Sequence, residues 1–227
     1  MKGIAIVSGG LDSVTMAYAL KGVGEDLHIL SFDYGQKHSK ELAYAEYCAE
    51  DLKVPFTKIE LPIKDLLYGS ALTDYSIEIP EGHYEAESMK DTVVPNRNAI
   101  FLSLAYALAV STQSDFVAIA VHAGDHHIYP DCRPGFLGAF ELMEIEATEG
   151  HSKRGLHIIA PFIEKTKAHI VTVGSIHNVP FKDTWSCYKG GLLHCGKCGT
   201  CVERIEAFQI AEVSDPTVYQ EEVGNDY

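Results

Sequence analysis

The sequence predicts an α/β protein: an open parallel sheet of about five strands with helices on both faces, followed by a C-terminal zinc-binding segment. Three observations carry the prediction. Short apolar, β-branched runs alternate with helix-like stretches along the chain. The first such run, KGIAIV, stops at a glycine turn, SGGLDS, that opens into a helical pattern. Four cysteines crowd together near the C-terminus.

Taken in order, strands are predicted at 2–7 (KGIAIV), 27–32 (LHILSF), 56–60 (FTKIE), 116–121 (FVAIAV) and 157–161 (HIIAP). Helices are predicted at about 12–22, 38–52, 97–112, 134–148, 165–177 and 200–212. The apolar run AIFLSLAYALAV (99–110) fits a buried helix and falls short of the roughly 18 residues of a membrane span. Cys48 lies inside a helical pattern and reads as a core residue. Residues 62–95 break the rhythm: they are polar, contain Gly and Pro, and form a lid-like insertion with short local structure. The tail DPTVYQEEVGNDY is acidic and is expected to fray. The 227 residues form a single domain, 1–227, with the insertion at about 62–95 and the zinc-binding segment at about 185–210.

Composition narrows the function classes. The net charge is −14, which argues against a broad nucleic-acid-binding surface, because such surfaces gain affinity from Lys and Arg on phosphates. The opening MKGIAIVSGG has too short an apolar core for a secretory signal. Without a signal, a cysteine cluster reads as a metal site before it reads as disulfides, and a cytoplasmic location is expected.

The SGGLDS turn (8–13) is an anion site in the making. A glycine turn at a helix start presents free backbone N–H groups, and the helix dipole adds partial positive charge. Gly9 and Gly10 admit close approach, and Ser8 and Ser13 offer hydroxyls. Asp12 would repel an anion; it makes sense as an N-cap or as a ligand for the Mg²⁺ that accompanies a nucleotide. The Lys of a Walker loop is missing. The string resembles the pyrophosphate-binding (PP) loop of ATP pyrophosphatases, a superfamily that activates a carboxyl or carbonyl oxygen with AMP.

Other polar groups follow the predicted strands, where open parallel sheets bind ligands. FDYGQKHSKE (32–41) follows the second strand, and Lys37 or His38 could meet a phosphate. In VPNRN (94–98), Arg97 opens an apolar helix against its dipole and wants an anion. HAGDHHIYPDCRPGF (122–136) follows the fourth strand. There Asp125 and Asp131 could accept from a guanine-like edge, and Arg133 could pair with a substrate carboxylate. Adjacent His126 and His127 cannot easily share one ion. Lys165 and Lys167 stand at a helix start and also need an anion; the alternative is that at least one of them is solvated. Cys187-x7-Cys195-x2-Cys198-x2-Cys201 has the residues and spacing of a closed, structural tetrahedral Zn²⁺ site; His194 is surplus to it.

Together SGGLDS, FDYGQKHSKE, GSALT (69–73), VPNRN, FLSLAYA, YPDCRP, PFIEKTK, WSCY and CGKCGTCVERIEAF resemble the 7-cyano-7-deazaguanine synthase family over residues 3 to 210. The resemblance implies an adenine nucleotide alpha hydrolase-like fold and a ligase that forms C–N bonds. It would convert 7-carboxy-7-deazaguanine and ammonia to 7-cyano-7-deazaguanine, using ATP, Mg²⁺ and one structural Zn²⁺. By matching position it assigns Ser8, Gly9, Gly10, Leu11, Asp12 and Ser13 to ATP and the four clustered cysteines to zinc. It also implies a homodimer; no membrane and no direct nucleic-acid contact are expected. From the residues themselves, Asp12, Arg97, Lys165 and Lys167 are read as catalytic, and Asp125, Asp131 and Arg133 as substrate-binding. Two alternatives stay open: a PP-loop tRNA-modifying enzyme of thiolase type, and an amide-forming variant that stops before the nitrile. A zinc-stabilised nucleotide-binding module without turnover is disfavoured by the intact loop.

Overall fold

A computed structural model describes residues 1–220. Five strands pair in parallel in the order β3-β2-β1-β4-β5: β1 (Lys2–Ile6), β2 (Asp26–Asp33), β3 (Phe56–Glu60), β4 (Phe116–Ala118) and β5 (His157–Ile159). Side chains alternate across β1, so Ile4 and Ile6 enter one core while Ala5 and Val7 enter the other. This two-sided burial is why the strands read as continuous apolar runs.

Six helices cover the two faces: α1 (Leu11–Gly22), α2 (Glu41–Leu52), α3 (Arg97–Ser111), α4 (Pro134–Ala147), α5 (Lys167–Ile176) and α6 (Gly199–Ile210). α3 buries Leu102, Ala105, Tyr106 and Ala109 on the face of Ile4 and Ile6. α1, α5 and α6 bury Val14, Met16, Ile170, Val171 and Phe208 on the other. The fold class and all eleven predicted elements are borne out; most are trimmed at an end, β3 keeps its predicted bounds, and β2 runs one residue further at each end. β4 ends at Ala118, and residues 119–121 beyond it line a cavity. α5 starts at Lys167 because the Thr166 hydroxyl accepts from the His169 N–H and caps it. No described helix is long and apolar enough to cross a membrane.

Residues 62–95 hold two short 3₁₀ turns, Lys64–Leu66 and Glu87–Thr92. The segment is anchored rather than loose: Leu67, Leu72, Tyr84, Met89 and Val94 are buried in the core beside α3. At its middle, Gly82 N–H donates to Lys197 C=O, and Glu81 bridges to Cys198. The expectation of a fraying tail is corrected for its first residues. Asp215 accepts from Arg204 and from the Tyr219 hydroxyl, because the fully buried Arg204 guanidinium needs a carboxylate. The rest of the tail, 221–227, lies outside the described residues.

Candidate active site

The chain runs outward from β1 to β3, then crosses to β4 and β5 on the other side. The crevice at this switch point, beyond the strand ends, is where such sheets bind ligands. It holds a cavity of about 210 Å³ walled by Val7, Phe32, Tyr34, Ile119 and Val121 from the strand ends.

At one end stands the glycine loop. Gly9 has φ +93°, and a Cβ there would sit 2.0 Å from the Glu41 carbonyl oxygen, so only glycine fits. Gly10, not Asp12, is the N-cap of α1, and it brings no side-chain cap. The leading N–H groups of α1 are therefore left for a ligand. Ser8 and Ser13 brace the turn: Ser8 N–H donates to Ser13 Oγ at 3.1 Å, and Ser13 Oγ–H donates to Gly10 C=O at 3.1 Å. Ser8, Gly10, Leu11, Asp12 and Ser13 line the cavity; Gly9 shapes the turn behind them.

Lys167 reaches this loop from α5. Its Nζ lies 2.9 Å from Asp12 Oδ2 and 2.9 Å from Glu203 Oε2. Burial pushes the Asp12 carboxyl up, but the Lys167 ammonium, by charge and by hydrogen bond, and the Arg204 guanidinium hold it below the usual carboxylate value. Burial likewise works against the Lys167 charge, and Asp12, Glu203 and Asp125 outweigh it. Burial dominates at Glu203 and pushes its carboxyl up.

His122 is buried at the centre of the same network. Its Nδ1 accepts from Gly124 N–H at 3.1 Å, which leaves the proton on Nε2. That nitrogen faces Asp125 Oδ1 at 3.5 Å, Glu203 Oε1 at 3.7 Å and Asp12 Oδ2 at 3.9 Å. Asp125 also accepts from His122 N–H and from the Tyr84 hydroxyl, both at 3.0 Å.

At the other end is Arg97, set against the stacked pair Phe32 and Phe101. Its polar side-chain partners are the Tyr34 hydroxyl and Asn98 Oδ1, each at 3.5 Å. Among the described residues no carboxylate pairs with it, and an unpaired guanidinium in a cavity wall calls for an anionic ligand. Tyr84, Tyr129 and Tyr188 complete the wall; burial raises all three hydroxyls, so they serve as neutral hydrogen-bonding groups.

The structure thus brings Asp12, Arg97, Asp125 and Lys167 to one cavity and leaves three predicted residues off its wall. Asp131 caps α3 instead, its Oδ2 accepting from Asn98 N–H at 2.9 Å, which offsets Arg97 at the helix start. Arg133 is exposed and donates to the His126 C=O. Lys165 is exposed, and its carbonyl accepts from Ala123 N–H. Sequence reading missed Glu203 and the roles of His122, Tyr84 and Tyr188. For His122, its place at a strand end was a usable signal. Glu203, two residues after a clustered cysteine, carried none.

Cys187, Cys195, Cys198 and Cys201 are buried, and their sulfurs lie within 4.8 Å of one another, so the cluster can hold a metal ion. Backbone N–H groups of Lys197 and Cys198 donate to Cys195 Sγ at 3.4 and 3.2 Å, which favours thiolate. His194 is engaged elsewhere: its Nε2 accepts from Ser186 N–H, and its ring packs on Trp185. This segment touches the glycine loop directly, through Trp185 N–H donating to Gly9 C=O at 2.9 Å.

Comparison with known proteins places this geometry. The family model "Queuosine biosynthesis protein QueC" matches residues 2–212. A 7-cyano-7-deazaguanine synthase from Rhizobium etli is 54% identical over 222 residues, covering 97% of this chain and 93% of that protein. One from Agrobacterium fabrum is 55% identical over 222 residues with the same coverage, 97% and 93%. Among solved structures, an NMN synthetase from Francisella tularensis shares the fold, with TM-score 0.52 and 14% identity over 94% of this chain and 77% of that one.

Proposed function

The chain belongs to the QueC family of queuosine biosynthesis proteins, and from that premise we propose how its cavity works. The protein is an enzyme that makes 7-cyano-7-deazaguanine in queuosine biosynthesis, a ligase acting on a small molecule. The observation that carries the mechanism is one cavity with an uncapped glycine loop at one end and the unpaired Arg97 guanidinium at the other. Such a cavity suits a nucleotide phosphate chain and a flat, carboxylate-bearing ring.

In this reading the carboxylate of 7-carboxy-7-deazaguanine, paired with Arg97, attacks the α-phosphorus of ATP and pyrophosphate leaves. Ammonia attacks the acyl carbon, and AMP departs with one of the two original carboxylate oxygens. The nitrogen gives up its proton and an amide remains. A second ATP adenylates the amide oxygen. Loss of both N–H protons and cleavage of the C–O bond yield the nitrile and a second AMP. Hydroxide is a poor leaving group and AMP a good one, so both steps need the same loop.

Ser8, Gly10, Leu11 and Ser13 hold phosphate, on the turn that Gly9 makes possible, and Lys167 supplies the cation. Asp12 Oδ1 is buried with no protein partner and fits a Mg²⁺ ligand, because Mg²⁺ takes one or two carboxylates beside phosphate oxygens. Bound there, Mg²⁺ would offset phosphate charge. Asp125 and the tyrosine hydroxyls meet the heterocycle edge. Asp131 acts on Arg97 by fixing the start of α3. The four cysteines would hold one Zn²⁺ with no open position, so its contribution is structural.

Ammonia as nitrogen donor, a homodimer and a cytoplasmic location belong to the same proposal. The dimer is supported by Leu142, Met143 and Ile145, all exposed on α4. The location is supported by six unpaired cysteines. A thiolase-type reaction is disfavoured, because Cys132 is the cysteine on the cavity wall and burial pushes its thiol up. The test is to incubate the protein with ATP, Mg²⁺, ammonium and 7-carboxy-7-deazaguanine and weigh the products. Nitrile supports the assignment, amide alone marks the shorter reaction, and neither refutes both.

A further inference from the structure

We propose that Glu203 is a positioning residue for the phosphate end of the cavity, presenting the Lys167 ammonium to the ligand; this rests on the ATP-dependent reading above. Lys167 lines the cavity, whereas Glu203 lies behind it, off the wall. Glu203 Oε2 is 2.9 Å from Lys167 Nζ, on a side chain only 13% exposed. An ammonium has three N–H donors. One donates to Asp12 Oδ2, Glu203 holds the ammonium as an ion pair, and donors are left for the cavity.

The arrangement solves a specific problem. With Asp12 as sole partner, Lys167 would close into a pair on the loop, and its charge would be spent there. Any ligand that engages Asp12 would then release the lysine to find a new position. Glu203 holds Nζ from behind in both situations, so the cation stays aimed while Asp12 is free to serve the ligand.

Glu203 is itself held firmly. α6 begins inside the cysteine cluster, with Cys198 as its N-cap and Cys201 in its first turn. The adjacent Arg204 is fully buried and ties α6 to Phe181 C=O, Thr184, Ser186 and Asp215. The cysteine cluster therefore fixes α6, α6 fixes Glu203, and Glu203 fixes Lys167.

The test uses the full chain with Glu203→Gln, Glu203→Asp, Lys167→Met and the Glu203→Gln/Lys167→Met double variant. Mg·ATP affinity is read by calorimetry, turnover by nitrile formation, and integrity by metal content and melting. Glu203→Gln is expected to lose about 10- to 100-fold in Mg·ATP affinity or turnover. Metal content and the KM for 7-carboxy-7-deazaguanine should match wild type. Glu203→Asp should recover part of the loss, and the double variant should be no worse than Lys167→Met. Wild-type behaviour of Glu203→Gln in both assays would overturn the proposal. So would metal loss in that variant, or losses that multiply in the double variant. Should wild type make no nitrile, the reaction assignment fails, and the calorimetry still decides the role of Glu203.

Discussion

Lys167 Nζ lies 2.9 Å from Asp12 Oδ2, joining the first turn of α5 to the glycine loop across 155 positions of sequence. A cation at a helix start is unfavourable by itself. Here two carboxylates, Asp12 and Glu203, offset it.

Lys167→Met should therefore lower turnover strongly while leaving it measurable, and cost roughly 3–5 kcal/mol of stability at neutral pH, because it leaves buried carboxylates without their cation. The sign with pH follows from the shifts. Asp12 sits below 3.8, so its contribution is present above that value and is lost as pH falls through its folded pKa. Lys167 sits above 10.5, so its contribution is present below that value and is lost as pH rises through its folded pKa. Urea denaturation across pH should show the gap between wild type and variant widest between these limits and narrower in strong acid.

Gly9 and Gly10 should part company on alanine substitution. Gly9→Ala combines φ +93° with a Cβ 2.0 Å from a backbone oxygen, and should cost about 3 kcal/mol or more. Gly10→Ala meets nothing nearer than Ser8 Oγ at 3.3 Å, and should keep the fold while weakening Mg·ATP binding. Thermal melts and calorimetry separate the two.

Arg97→Lys should raise the KM for 7-carboxy-7-deazaguanine by about 10- to 100-fold with little change in the KM for ATP, since an ammonium cannot grip a carboxylate with a planar fork. Steady-state kinetics with each substrate varied in turn checks this.

Cys198→Ser should lose metal, melting temperature and solubility together, and turnover only as a consequence. A closed site contributes its binding energy to folding. Metal analysis beside a melting curve is the measurement; retained metal with lost turnover would contradict a structural role.

All strands and helices could be read because each face of the sheet is buried, and burial writes itself into local apolar runs. The glycine loop and the cysteine cluster are local strings. Arg97 and Lys167 follow from one argument, a cation at a helix N-terminus, and the same argument selects Lys165, whose side chain is exposed. Asp131 and Arg133 follow from side-chain chemistry on a strand-end loop, and that chemistry does not say which way a loop side chain turns. Glu203 was invisible because its meaning depends on a lysine 36 positions away meeting it across α5 and α6.

In the proposed reaction both carboxylate oxygens leave on AMP. It is tested most directly by supplying 7-carboxy-7-deazaguanine with both carboxylate oxygens as ¹⁸O and weighing the nucleotide products. Two AMP per nitrile, each carrying one ¹⁸O, with pyrophosphate unlabelled, are the expected products. Unlabelled AMP, or ADP and phosphate in place of AMP and pyrophosphate, would contradict it.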